Sequence, residues 1–176
     1  LTVLLCLSNQ LTSLDVSANT ALTSLVFGWN NLDTLDVSNN TALTTLACLN
    51  NQLTSLDLSQ NTALTQLYCH NNQLTSLDVS QNTALMELWG NNNQLTSLDL
   101  RNGNNTNLGY LSTNNNPNLF CIDVDDPAYS AANWGNMDPQ HYFSNNCNAI
   151  YGCTDPAACN YDSLANTDDG SCGYAN

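Results

Sequence analysis

Carboxylates are the most numerous reactive groups in this chain: 15 Asp and Glu stand against a single Lys or Arg, giving a formal net charge of -14 over 176 residues. Most of them fall into two patterns. Asp15, Asp36, Asp57, Asp78 and Asp99 recur every 21 residues, and Asp123 closes the series. Asp155, Asp162, Asp168 and Asp169 crowd a short C-terminal stretch beside Asn166 and Gly170. Acidic loops of this second kind can hold Ca2+ through their oxygens, although the spacing matches no EF-hand, and a solvated turn is the alternative. Stacked one strand spacing apart, about 4.8 Å, the first series would repel by roughly 1 kcal/mol per neighbour in water and several-fold more near a protein surface. Neighbouring Ser hydroxyls, raised pKa values or bound cations must relieve that repulsion.

Other reactive groups are sparse. His70 and His141 are the only histidines, lysine is absent, and no nucleophile motif or phosphate loop occurs, so catalysis is not expected. Cys48, Cys69 and His70 could suggest a zinc cluster. Cys6, Cys48 and Cys69, however, share an inward column with Phe27, where Cys behaves as a small hydrophobe, and buried free thiols are expected. One cation cannot neutralise phosphates, which excludes general nucleic-acid binding and disfavours anionic membranes. No apolar run approaches the roughly 20 residues of a spanning helix, so membrane insertion is not expected. The abundance of Leu argues against a disordered acidic tail. The chain starts at Leu1 without Met or a signal peptide, and is expected to be a segment of a longer precursor.

A repeat positions these groups. Rows begun at Leu11, Leu32, Leu53, Leu74 and Leu95 align nearly every residue, and a 21-residue period signals a solenoid. Each period holds two similar halves, as in Leu53-Thr-Ser-Leu56-Asp-Leu58-Ser-Gln-Asn61 and Leu64-Thr-Gln-Leu67-Tyr-Cys69-His-Asn-Asn72. Alternation puts Leu14 and Val16 on one face and Asp15 on the other, which predicts a strand with one buried face. Leu25 and Phe27 repeat this on the opposite side of the turn. One turn cannot offset its own ordering entropy, so the turns must stack. Asn9, Asn30, Asn51, Asn72 and Asn93 form one column and Asn19, Asn40, Asn61 and Asn82 another. At a bend, such amides can satisfy backbone groups that a tight turn leaves unpaired.

The two outward columns differ. On the Asp side, Ser13-Asp15-Ser17, Ser55-Asp57-Ser59 and Ser76-Asp78-Ser80 nearly copy one another. On the other strand the outward residues change at every turn: Leu5, Val26, Ala47, Tyr68, Trp89 and Ser112, flanked by Ser24, Thr45, Gln66, Glu87 and Tyr110. His70 and Trp29 border the same face. A recognition surface must present different groups at different points, and exposed Trp and Tyr suit a protein or glycan partner. Drift on a surface without a partner is the alternative, as in a structural spacer. Thr columns at Thr20, Thr41, Thr62, Thr83 and at Thr23, Thr44, Thr65 raise ice binding, but Ser and Asp occupy the outward positions that a flat Thr face would need.

The unit L-x-x-L-x-(L/V/C)-x-x-N, repeated from about Leu1 to Val124, resembles the leucine-rich repeat, and more closely its nested bacterial form, called IRREKO. The resemblance implies a leucine-rich repeat solenoid of stacked 21-residue turns, with parallel strands on two sides, little helix, and the varied strand facing the ligand. Residues 125–148, with Asp126 as helix cap and Pro127 in the first helical position, resemble the cap that follows such arrays, which implies a Cys121 to Cys147 disulfide. Residues 149–176 resemble the GCTD-to-DDGSC module of bacterial secreted and surface proteins, which implies a Cys153 to Cys172 disulfide and leaves Cys159 odd. Disulfides imply an extracytoplasmic, secreted or cell-surface location. The expected function is recognition or adhesion by a monomer, through Val26, Trp29, Tyr68, His70, Glu87, Trp89 and Tyr110. No cofactor is required, and Ca2+ is the one ion in question, at Asp155, Asp162, Asp168 and Asp169.

Overall fold

In the computed structural model, which describes residues 1–174, the 21-residue period becomes a stack of turns carrying three-residue strands. The last two residues of the module expected over 149–176 lie outside the described residues. The first seven strands are β1 (Val3–Leu5), β2 (Ser24–Val26), β3 (Thr45–Ala47), β4 (Gln66–Tyr68), β5 (Ser76–Asp78), β6 (Glu87–Trp89) and β7 (Ser97–Asp99). They are followed by β8 (Tyr110–Ser112), β9 (Cys121–Asp123), helix α1 (Pro127–Asn133), β10 (Tyr142–Ser144), β11 (Tyr151–Gly152) and β12 (Thr167–Asp168). The chain divides into two compact units, Leu1–Asn145 and Asn146–Asn176.

The varied strands form one parallel six-stranded sheet in the order β1-β2-β3-β4-β6-β8. Equivalent residues of successive turns pair directly, as in Leu25↔Leu46 and Leu67↔Leu88. Alternation does what the pattern requires: Leu25, Leu46, Leu67 and Leu88 are fully buried. The backbone ladder runs on past the strands, with the Phe27 N–H donating to the Ala47 carbonyl and the Trp29 N–H to that of Leu49. Cys48 and Cys69 are free thiols in the core. Burial pushes the Cys69 thiol up to about 12 and that of Cys48 well up, so neither is a nucleophile at neutral pH. The threonine regularity has a backbone cause. The hydroxyls of Thr44 and Thr65 donate to the carbonyls of Thr23 and Thr44 one turn earlier, at 3.0 and 2.9 Å.

Two asparagine ladders bind turn to turn. In the first, the Asn51 amide oxygen accepts from the Leu32 N–H of the preceding turn, while its nitrogen donates to the carbonyls of Cys48 and Phe27. Asn30, Asn72, Asn93 and Asn116 repeat the arrangement. In the second ladder, Asn61 donates to the Val37 and Asn40 carbonyls, and Asn82 to those of Leu58 and Asn61. Each amide therefore does for two turns what a tight bend cannot do for itself.

The Asp side is less uniform than the repeat predicts. A second sheet, in the order β10-β9-β7-β5, forms only from Asp78 onward. Arg101 explains where pairing starts. Its guanidinium lies 2.5 Å from the Asp99 carboxylate and 3.6 Å from that of Asp123, and it also feels the charge of Asp78. These three acids belong to β5, β7 and β9. Among the turns of Asp15, Asp36 and Asp57, which no Lys or Arg side chain bridges, the segments carry no strand. Grooves of about 280–390 Å³ open between successive turns there.

Each ladder carboxylate is nevertheless satisfied locally. Asp15, Asp36, Asp57 and Asp78 accept the backbone N–H two residues on, at 2.8–2.9 Å, the Asx turn favoured by a D-x-S sequence. Hydrogen bonds from Ser17, Ser38 and Ser59, through hydroxyl and backbone N–H, lower the pKa values of Asp15, Asp36 and Asp57. Asp99 is also lowered, because the Arg101 contacts outweigh its burial. A group whose pKa falls on folding contributes stability above its unfolded value, about 3.9 for Asp, and loses it as pH drops through the folded value. The melting temperature, followed by circular dichroism, should therefore stay level from pH 8 to 5 and fall below about pH 4. A gain on acidification would show that repulsion along the ladder dominates instead.

The cap extends the stack. Asp126 accepts from the N–H groups of Ala128 and Tyr129 at the start of α1, and Asp138 receives those of Asn115 and Asn116 at 2.9 and 2.8 Å. Strand β10 continues the Asp-side sheet beyond β9, and Asn136 bridges to Ser112 on the varied side. Cys121 is disulfide-bonded. In the second unit Cys147 is disulfide-bonded, Cys153 is joined to Cys172, and Cys159 is a free, exposed thiol. Strands β11 and β12 pair in parallel.

Candidate functional site

The outward side of the six-stranded sheet carries the site. In-register pairing places Gln66, Glu87 and Tyr110 in one column and Ala47, Tyr68, Trp89 and Ser112 in the next. The alternation that buries Leu67, Leu88 and Leu111 turns these side chains outward. Trp89 stacks on Tyr110 with ring centroids 4.6 Å apart and planes inclined by 25°. Tyr68 and His70 flank Trp89 at 6.2 and 5.8 Å, in tilted arrangements. The Tyr68 hydroxyl donates to Glu87 Oε2 at 2.6 Å. Burial first, and this bond second, push the Tyr68 phenol up to about 12, so it remains a donor at neutral pH. Burial lowers the His70 pKa, and Nδ1 has no hydrogen-bond partner among the described residues.

Five of the seven residues singled out from the sequence, Tyr68, His70, Glu87, Trp89 and Tyr110, thus meet in one cluster. Val26 lies on the same sheet face, two strands from Tyr68. Trp29 stands apart at the bend after β2, 53% exposed. Ala47 and Ser112, expected outward, are only 6% and 2% exposed because neighbouring turns cover them. The sequence reading missed Asn136, whose amide donates to the Tyr110 hydroxyl and to Ser112 Oγ, both at 3.0 Å. Asn136 belongs to the cap, outside the repeat, so no periodic signal could have found it.

Trp29 has an unusual backbone. Ser8, Trp29, Asn50, Asn71, Asn92 and Asn115 all adopt the left-handed conformation, with φ between 52° and 59°. Asn tolerates it because a short polar side chain bonds locally, whereas a bulky residue there costs on the order of 1–3 kcal/mol. The residues on either side are tightly placed. Asn30 is locked into its ladder, and a Cβ on Gly28 would come within 3.0 Å of the Leu49 side chain.

The tail acids engage the backbone of their own loops. Asp155, Asp162, Asp168 and Asp169 each turn Oδ1 to a backbone N–H two residues on, and Asp155 Oδ2 accepts from the Tyr174 hydroxyl at 2.5 Å. Among the described residues no group of three or more His, Cys, Asp or Glu side chains is arranged to hold a metal ion. No helix among them is long and apolar enough to cross a membrane.

No protein-family model matches the chain, and no curated protein matches it. Solved structures do. One is the functional domain of InlJ from Listeria monocytogenes, described as including a cysteine ladder. It is 37% identical with a TM-score of 0.51, over 70% of this chain and 34% of that one. Another is an internalin, InlF, from the same organism, 25% identical with a TM-score of 0.58, over 81% of this chain and 46% of that one. The chain thus spans less than half the length of either. The fold is a leucine-rich repeat solenoid with little helix and internalins as structural neighbours.

Proposed function

We propose that the chain is a recognition or adhesion module, secreted or held at a bacterial surface, that binds a macromolecular partner through the varied face of its six-stranded sheet. One observation carries the reading: the contiguous cluster of Tyr68, Trp89 and Tyr110 with Glu87, built on the most continuous sheet of the fold. Grouped aromatic rings with polar handles are the usual anchors of protein interfaces. A spacer would not need such a group on one face while the outward residues of its other face nearly copy one another. The internalin neighbours support an interaction role, and the disulfides support an oxidising compartment. The nested repeat unit and the GCTD-to-DDGSC tail support a bacterial surface origin. We read the role as binding rather than catalysis.

The double variant Tyr68→Ala, Trp89→Ala tests this. Both side chains are partly exposed, so the melting temperature is expected to stay within a few degrees of the parent. Capture of the partner in pull-downs from host-cell or surface extracts is expected to drop at least tenfold. Undiminished capture would return the face to the role of a spacer.

A further inference from the structure

The structure holds a second exposed aromatic that its own backbone disfavours. Trp29 occupies a left-handed position filled by Asn or Ser in the other five turns, it is 53% exposed, and none of the described rings stacks on it. A strained residue persists where its surroundings over-determine it, and such residues concentrate at binding sites. From β2 to β6 is three strand steps, about 14 Å along the stack. Trp29, at the bend after β2, and Trp89, on β6, are therefore separated by at least that distance, with Thr45 and the covered Ala47 on the strand next to β2.

Charge says what would lie between them. The chain carries a net charge of -14, and its single Arg is committed to Asp99 and Asp123. No Lys or Arg among the described residues competes at the cluster. Glu87 gives one carboxylate oxygen to Tyr68, and its other oxygen accepts no hydrogen bond among the described residues. A guanidinium or ammonium over an indole face, beside a carboxylate, gains from both the ring quadrupole and the charge pair. Most of the other acids stand on the Asp side and in the tail, so the charge at the cluster is that of Glu87. A neutral glycan could use the rings but would gain no charge pair with Glu87.

We propose that the partner segment is an extended basic peptide lying across the strands, with one Lys or Arg set on Trp89 and Tyr110 beside Glu87 and a neighbouring residue packed on Trp29. At least about four residues of extended chain are needed to reach from one anchor to the other. The proposal rests on the reading of the varied face as the recognition face, and deepens it by naming the partner's chemistry and a second anchor.

The three tryptophans make the test local. In a 15N spectrum each indole N–H gives its own signal, and Trp134, whose buried indole donates to the Leu108 carbonyl at 3.1 Å, serves as the internal control. Hexa-arginine added to the intact protein at low salt is expected to shift the Trp29 and Trp89 signals with one common dissociation constant and to leave Trp134 unmoved. Glu87→Gln is expected to weaken binding at least threefold, as is raising the salt to 0.5 M (about a 4 Å screening length). Trp29→Asn, which suits the backbone, is expected to weaken binding at least fivefold without lowering the melting temperature. Movement of Trp89 alone would overturn the second anchor. Hexa-arginine held by the Asp-side ladder would move neither indole, and that result overturns the proposal. A neutral hexamer of N-acetylglucosamine shifting the same signals where hexa-arginine does not would overturn the basic peptide while leaving the recognition face standing. Should neither probe bind, the basic-peptide proposal falls, and the recognition face is judged separately by the pull-down.

Discussion

Asn72→Ala is expected to destabilise the solenoid by about 3 kcal/mol or more, read as a lowered urea midpoint. The Asn72 amide oxygen accepts from the Leu53 N–H at 3.0 Å, and its nitrogen donates to the carbonyls of Cys48 and Cys69, each at 3.0 Å. Alanine would leave the buried Leu53 N–H unpaired, at about 1–3 kcal/mol, and would remove one donor, at about 0.5–1.5 kcal/mol each, from the Cys48 and Cys69 carbonyls, which keep Asn51 and Asn93. Asn72→Asp should be at least as damaging, because a carboxylate keeps the acceptor for Leu53 but aims oxygen at two carbonyls. The same column supplies the control. Asn9 is exposed and bonds only to Cys6 and Leu7 of its own turn, so Asn9→Ala should cost less than about 1 kcal/mol. Equal losses at the two positions would show that joining of adjacent turns is not what the ladder contributes.

Trp134→Ala is expected to cost about 3–5 kcal/mol, and the loss should be local to the C-terminal end of the stack. Trp134 is 8% exposed and packs edge-on against Tyr129 and Phe143 at 6.4 and 5.6 Å. With its indole bonded to Leu108, it holds α1 and β10 over the last repeats. Stability in a solenoid is a sum of units and nearest-neighbour interfaces. Hydrogen exchange should therefore show protection lost first in β8 and β9 and retained in β2 to β4. Trp134→Phe, which keeps most of the apolar volume, should cost about 1–3 kcal/mol for the stranded Leu108 carbonyl. Uniform loss of protection along the stack would mean that the cap does not act as a separable end.

Much of this was legible beforehand, and the reason is local. The inward column from Leu25 to Leu111, the buried thiols of Cys48 and Cys69, and the amides of Asn30 to Asn93 follow from alternation and a constant period, which need only strand geometry and stacking. The capping of α1 by Asp126 needed only neighbouring residues. Trp89 beside Tyr110 was legible as a neighbouring pair, but its 4.6 Å stack was not, since centroid distance depends on rotamers chosen against Tyr68 and His70. Nothing in the sequence marked Trp29 as left-handed. It follows from the bend that recurs after each varied strand, with the next residue, Asn30, held in its ladder.

The acids show the division most clearly. The 21-residue spacing by itself determined that Asp15 to Asp99 form one outward column, because every turn places equivalent residues at equivalent points. Whether that column closes into a sheet was decided only by the tertiary structure. Arg101 reaches Asp99 and Asp123 and feels Asp78, and pairing begins at β5. The turns of Asp15, Asp36 and Asp57 stay open, each carboxylate held by its own Asx turn. Arg101 occurs once and Asn136 lies outside the period, so the contacts they make depend on distances that no repeating pattern encodes.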